Sequence, residues 1–168
     1  MGLDMYLTKR LYIGAHYEHN NVKCNVEVER KGKVSKIEEP IQEIIIPVGY
    51  WRKANAIHNW FVNNVQGGTD DCKEYEVQSE DLLKLRDACK EVLVHHAIEE
   101  GLLNGDSKEI AEKILPAAEG FFFGGTDYDE WYVDGLKETV TIIDKALNQM
   151  AIDESNGFYI SFYYQSSW

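Results

Sequence analysis

Ser155-Asn156-Gly157-Phe158-Tyr159-Ile160-Ser161-Phe162-Tyr163-Tyr164 is the stretch on which the fold turns. Asn-Gly after Ser is turn chemistry, and the residues beyond it alternate: Phe158, Ile160, Phe162 and Tyr164 on one side, Tyr159, Ser161 and Tyr163 on the other. This period of two predicts a strand. Because both of its sides are aromatic or small, the expectation is a central strand covered on both faces.

The other end of the chain answers it. Leu3, Met5 and Leu7 alternate with Asp4, Tyr6 and Thr8, a second half-buried strand. Val22, Cys24, Val26 and Val28 continue in the same period. Lys31-Gly32-Lys33 then turns into a partner strand over Val34 to Glu39, which predicts a charged hairpin. Pro40 and Pro47 bracket Ile41 to Ile46, read as a short buried strand or extended segment.

Between these ends the period lengthens to that of a helix. Ala54, Ile57, Trp60, Phe61 and Val65 predict a helix from Arg52 to Gln66, stopped by Gly67-Gly68. A second helix starts at a Ser79 cap and buries Leu82, Leu85, Cys89 and Val92. A third, capped by Asp106 or Ser107, ends at Pro116. The fourth, capped by Thr126 with Asp129 three residues on, buries Tyr128, Tyr132, Leu136, Val140, Ile143 and Leu147. Strands at both ends with helices between them predict an α+β fold: one mixed or antiparallel sheet containing the N- and C-terminal strands, with about four helices packed mainly on one face.

At 168 residues, 44% apolar and 27% charged, the chain fits a single domain over 1–168 and excludes a disordered or fibrous class. It shows neither a leader peptide nor a run long enough to span a membrane, so the expected location is the cytoplasm. The charge is lopsided. Residues 1–66 hold nine Lys/Arg against seven Asp/Glu, while residues 67–168 hold eight against twenty-two. Such an acidic surface disfavours general nucleic-acid binding, which draws its affinity from cations on phosphates; it reads first as a solvated face that keeps the chain soluble, with attraction of a basic partner as the alternative. Cys24, Cys72 and Cys89 have no metal or disulfide spacing. Cys24 and Cys89 are expected buried and Cys72 exposed. His16 and His19 lack the companions a metal site needs, His95-His96 suits a helix C-terminus, and no cofactor or nucleophile motif is present.

Four segments carry a resemblance: Gly2-Leu3-Asp4-Met5-Tyr6-Leu7, Gly49-Tyr50-Trp51-Arg52-Lys53-Ala54-Asn55-Ala56-Ile57-His58-Asn59-Trp60-Phe61, Gly120-Phe121-Phe122-Phe123-Gly124 with Tyr128-Asp129-Glu130-Trp131-Tyr132, and Tyr163-Tyr164-Gln165-Ser166-Ser167-Trp168. Together they resemble a family of phage and prophage proteins of uncharacterised activity. The resemblance implies a setting, action on host processes or antiviral defences, and no particular chemistry.

The central segment supplies the candidate site. On a helix, Arg52, Asn55, Asn59 and Asn63 fall within about 80° of one another, opposite the apolar set. Asn pairs with base edges and Arg forks onto phosphate. Tyr50, Trp51 and His58 flank the stripe and are placed to stack on a ring. Tyr50, Trp51, Arg52, Lys53, Asn55, His58 and Asn59 thus form the expected contact set for a small anionic nucleotide-type ligand, held without catalysis. The bland alternative makes the Asn amides ties to neighbouring loops, Trp51 and Tyr50 core, and His58 a satisfied edge histidine. The turn Phe123-Gly124-Gly125-Thr126 is rejected as a phosphate loop because Asp127, Asp129 and Glu130 follow it. The runner-up function is an acidic inhibitor or nucleic-acid mimic acting on a basic host protein through Asp127, Asp129, Glu130 and Asp134. A nucleotide-processing enzyme with His58 as acid or base comes third. The surplus of Tyr and Trp leaves a homodimer open.

Overall fold

Alternation along the first strand builds the sheet. In the computed structural model, which describes residues 2–20, 22–120 and 123–168, strand β1 (Asp4–Tyr12) buries Met5, Leu7 and Leu11 and turns Tyr6 and Tyr12 outward. After the hairpin β2 (Val26–Arg30) and β3 (Lys33–Ile37) comes β4 (Glu43–Arg52), followed by α1 (Asn55–Asn64), β5 (Tyr75–Val77) and α2 (Ser79–His95). A two-residue ribbon, β6 (Ile98–Glu99) and β7 (Leu102–Leu103), leads to α3 (Gly105–Ile114), α4 (Glu130–Ser155) and β8 (Tyr159–Ser167). The main sheet is antiparallel in the order β4-β1-β8-β5, so the N- and C-terminal strands are its two central members.

The helices lie on one face of it. α4 crosses β4 and β8, α1 packs beside α4, and α2 packs on α4 and α3. One continuous core results, in which Leu3, Met5, Leu7, Trp51 and Tyr164 from the sheet meet Phe61, Leu82, Leu85, Leu136 and Ile143 from the helices. The four residues expected on the buried stripe of α2, Leu82, Leu85, Cys89 and Val92, are its buried residues. Two close approaches fix the layers. Tyr164 stacks on Phe61 with ring centres 3.9 Å apart, and a Cβ at Gly49 would meet Ile142 Cγ2 at 2.6 Å.

Several expectations are corrected. β8 is central, but only its Phe162, Tyr164 and Ser166 side is covered; Tyr159 on the other side is 74% exposed. Ile44-Ile45-Ile46 lies on the edge strand β4 and leaves Ile45 half open, and that edge position is also what tolerates Pro47 within the strand. Arg52 ends a strand rather than starting a helix, because Lys53 adopts a left-handed φ of 56° and breaks the chain direction before Asn55. The cap of α4 is Asp129, whose carboxylate accepts from the Tyr132 amide 3.0 Å away, not Thr126. Gln78 precedes α2, and Asn104 caps α3. Cys24 lies outside any strand and is only half-buried, as is Cys72. Phe121 and Phe122 lie outside the described residues, whereas Phe123 is buried.

Candidate functional site

The amide ridge of α1 has partners of its own. Asn55, 5% exposed, donates to the Gly125 carbonyl at 2.7 Å and accepts from the Ala118 amide at 3.4 Å. Asn59 donates to the Pro116 carbonyl at 3.2 Å, and its Oδ1 accepts from Asn63 at 2.9 Å. Tyr132 and Tyr128 complete the clamp: the Tyr132 hydroxyl donates to Leu115, and the Tyr128 hydroxyl accepts from Ala117. Segments 115–120 and 123–125 have little regular structure to satisfy their backbone, and side chains from α1 and the start of α4 do so instead. That is why Asn occupies these positions, where Lys or Glu would suit an open helix face.

Trp51 and His58 also leave the ligand set. The Trp51 indole is buried and donates to Thr139 Oγ1 at 2.9 Å, riveting β4 to α4. His58, 1% exposed, bridges the Tyr164 hydroxyl at 2.8 Å and Asp70 at 2.9 Å, with Phe123 edge-on at 5.0 Å. Asp70 in turn accepts from the Trp168 indole at 3.1 Å. Burial pushes the Tyr164 phenol well above its ordinary range, so within this chain it serves as a hydrogen-bonding group. His58 lines neither the cleft beside the β4–α1 junction nor the hollow on the outer face of the sheet.

Tyr50, Arg52 and Lys53 remain accessible. Tyr50 packs on Tyr6 with ring centres 5.5 Å apart and donates to Asp4, a bond that raises its pKa. Arg52 sits across the strand pair from Asp4, 3.9 Å from its carboxylate. Lys53 and Arg52 are exposed at a cleft of about 710 Å³ between the β4–α1 junction and the first turns of α4. The N-terminus of α1 opens here. Its cap position is Ala54, which has no side chain to accept its amides, and no acidic residue stands in its first turn.

The aromatic side of the opposite wall was not legible as part of a site. Trp131 lines it and is 85% exposed, with Asp127, Asp134 and Glu138 around it. The one available signal was position: on α4, Trp131 falls off the stripe that buries Val133 and Leu136, and a Trp outside the buried stripe of a helix needs another reason to be there. Among the described residues, no three His, Cys, Asp or Glu side chains converge as a metal centre, and no helix is long and apolar enough to cross a membrane. Comparison with protein-family models, curated proteins and solved structures finds no match to the chain.

Proposed function

We propose that this chain is a non-catalytic binder of a small anionic nucleotide-type ligand, seated in the cleft between the β4–α1 junction and α4. The observation that carries this reading is the exposed ring of Trp131 across from Arg52, Lys53 and the uncapped start of α1. Free amides and two cations attract one phosphate-sized anion. Stacking a base on an exposed indole contributes about 1–3 kcal/mol. The volume of about 710 Å³ suits a ligand of that size.

The carboxylates refine the ligand. Asp127, Asp134 and Glu138 repel a second phosphate, so the negative charge belongs at one end of the ligand and hydrogen-bond donors at the other. A nucleoside monophosphate whose base carries an exocyclic amine has that polarity; a polyphosphate chain or a duplex does not. In the phage setting implied by the resemblance, the role is to withhold such a ligand from the host. The test is thermal melting with mononucleotides and with inorganic tripolyphosphate. A mononucleotide should raise the midpoint, and Arg52→Ala and Trp131→Ala should each remove the rise while leaving the ligand-free midpoint in place. A panel that shifts nothing, or an equal shift in both variants, overturns the reading.

One observation favours the second reading, an acidic inhibitor docking on a basic host protein. Glu130, Asp134 and Glu138 stand one turn apart on α4, all exposed. That reading predicts salt-sensitive binding of a nonaarginine peptide, lost when Glu130 and Glu138 become Gln, with no mononucleotide effect.

A further inference from the structure

Two parts of this fold lack cover. The first is the hairpin β2–β3. Every residue from 27 to 37 is exposed, including Val28 at 43% and Val34 at 60%, and both outer edges of this two-stranded ribbon are unpaired among the described residues. A lone two-stranded ribbon is marginal in water. Its register places Val26, Val28 and Arg30 opposite Ile37, Ser35 and Lys33, so one face is apolar at the base and basic at the tip. Arg30, Lys31 and Lys33 make no ion pair among the described residues.

The second is the outer face of the main sheet. Tyr6, Tyr12, Ile45 and Tyr159 are 41, 41, 52 and 74% exposed there, and Tyr12 and Tyr159 flank a hollow of about 530 Å³ floored by Arg10, Ser161 and Tyr163. Arg10 is already committed. It lies 4.0 Å from the centre of the Tyr163 ring and pairs with Glu43 and Glu74. Glu76 stands on the same face, opposite Tyr163, and adds a third carboxylate to the two that pair with Arg10.

We infer that the hairpin of one copy docks on the tyrosine face of a second copy, in a reciprocal arm exchange. The apolar base of the arm meets tyrosine rings and Ile45, and its cations reach the carboxylates of Glu43, Glu74 and Glu76. Each uncovered part supplies what the other lacks, and a two-fold axis satisfies both copies at once. Tyrosine gives large contact area at low entropic cost. Net charge does not forbid the pairing, since like charges beyond about 10 Å are screened at 0.1 M salt. The same carboxylates exclude a nucleic-acid strand as the occupant, although open aromatic sheets can stack bases.

Sedimentation velocity across a concentration series tests the exchange. The intact chain should dimerise, and Arg30→Glu with Lys33→Glu should weaken the dimer at least tenfold; because both positions are fully outside the core, folding is retained and circular dichroism should confirm it. Glu76→Lys should weaken it likewise. Mixing the arm variant with the Glu76→Lys variant should restore association, because one arm and one face are then matched again. A chain that stays monomeric at every concentration, a dimer indifferent to the arm variant, or a mixture that shows no rescue overturns the inference.

Discussion

Lys9 sits on the inward face of β1 and pairs with Asp153 near the end of α4, 144 residues away in sequence. The lysine side chain is 4% exposed and the carboxylate 12%, and Gln149 also donates to Asp153 at 3.1 Å. The pair ties the last turn of the longest helix to a central strand, just before the Asn156-Gly157 turn that sends the chain into β8. Removing one partner strands the other charge where water reaches it poorly. Lys9→Met is therefore expected to cost about 3 kcal/mol by urea unfolding, while Lys9→Met with Asp153→Leu recovers most of that loss.

The same pair sets an acid limb. The Lys9 ammonium holds the Asp153 carboxyl below the usual carboxylate range, so its folded-state pKa is depressed. Its contribution is fully present above the unfolded value near about 4 and fades as pH falls through the lower folded value. Unfolding midpoints measured from pH 6 to pH 2.5 should fall in the intact protein, and the part of that fall due to Asp153 should vanish in Asp153→Asn. Equal acid slopes in the two proteins would remove the pair from the account.

Gly49 is held by crowding, not by an unusual backbone angle. A Cβ there would stand 2.6 Å from Ile142 Cγ2 and 3.2 Å from both Leu7 Cβ and the Trp51 ring. Gly49→Ala forces β4 and α4 apart and is expected to cost about 1–3 kcal/mol, with Trp51 fluorescence shifting toward that of a wetter indole. Gly32→Ala, at a φ of 75° with open space around it, strains only the hairpin turn and should leave the core unchanged.

Cys89 is the thiol that the fold protects. Burial pushes its pKa up to about 12, while Cys24 and Cys72 are half-buried. An aromatic disulfide reagent at pH 8 should therefore label two thiols in the folded chain and the third only at the rate of unfolding. Rapid labelling of all three would show α2 opening far more readily than its packing implies.

How much of this could be read beforehand depends on whether the signal is local. The periodicity of Leu82, Leu85, Cys89 and Val92, and the alternation in β1 and β8, are set by residues a few positions apart, so the sequence carries them. The helix expected from Arg52 failed at one residue. Apolar spacing runs through Trp51 without a break, and only the left-handed backbone of Lys53, which no residue type announces, separates strand from helix. The polar stripe of α1 was visible, but its partners lie 57 to 70 residues away, so nothing local distinguished a ligand contact from a loop clamp at Asn55 and Asn59. Likewise both sides of β8 look suited to burial, and which one the helices cover is decided by the path of α4.

Lys53 separates stability from binding. A non-glycine residue at a φ of 56° costs about 1 kcal/mol relative to glycine, offset in part by the greater freedom of glycine in the unfolded chain. Its stem also passes close to Gly124, where an added Cβ would stand 3.3 Å from Lys53 Cβ. If the ammonium is kept there for an anion, Lys53→Gly should hold or raise the ligand-free unfolding free energy by up to about 0.5 kcal/mol and abolish the mononucleotide-induced rise in melting temperature. Lys53→Ala keeps the strain and should lose the ligand effect alone. A Lys53→Gly protein that unfolds more easily and still responds to the mononucleotide would assign Lys53 to packing between Gly2 and Gly124, leaving the cleft without its central cation.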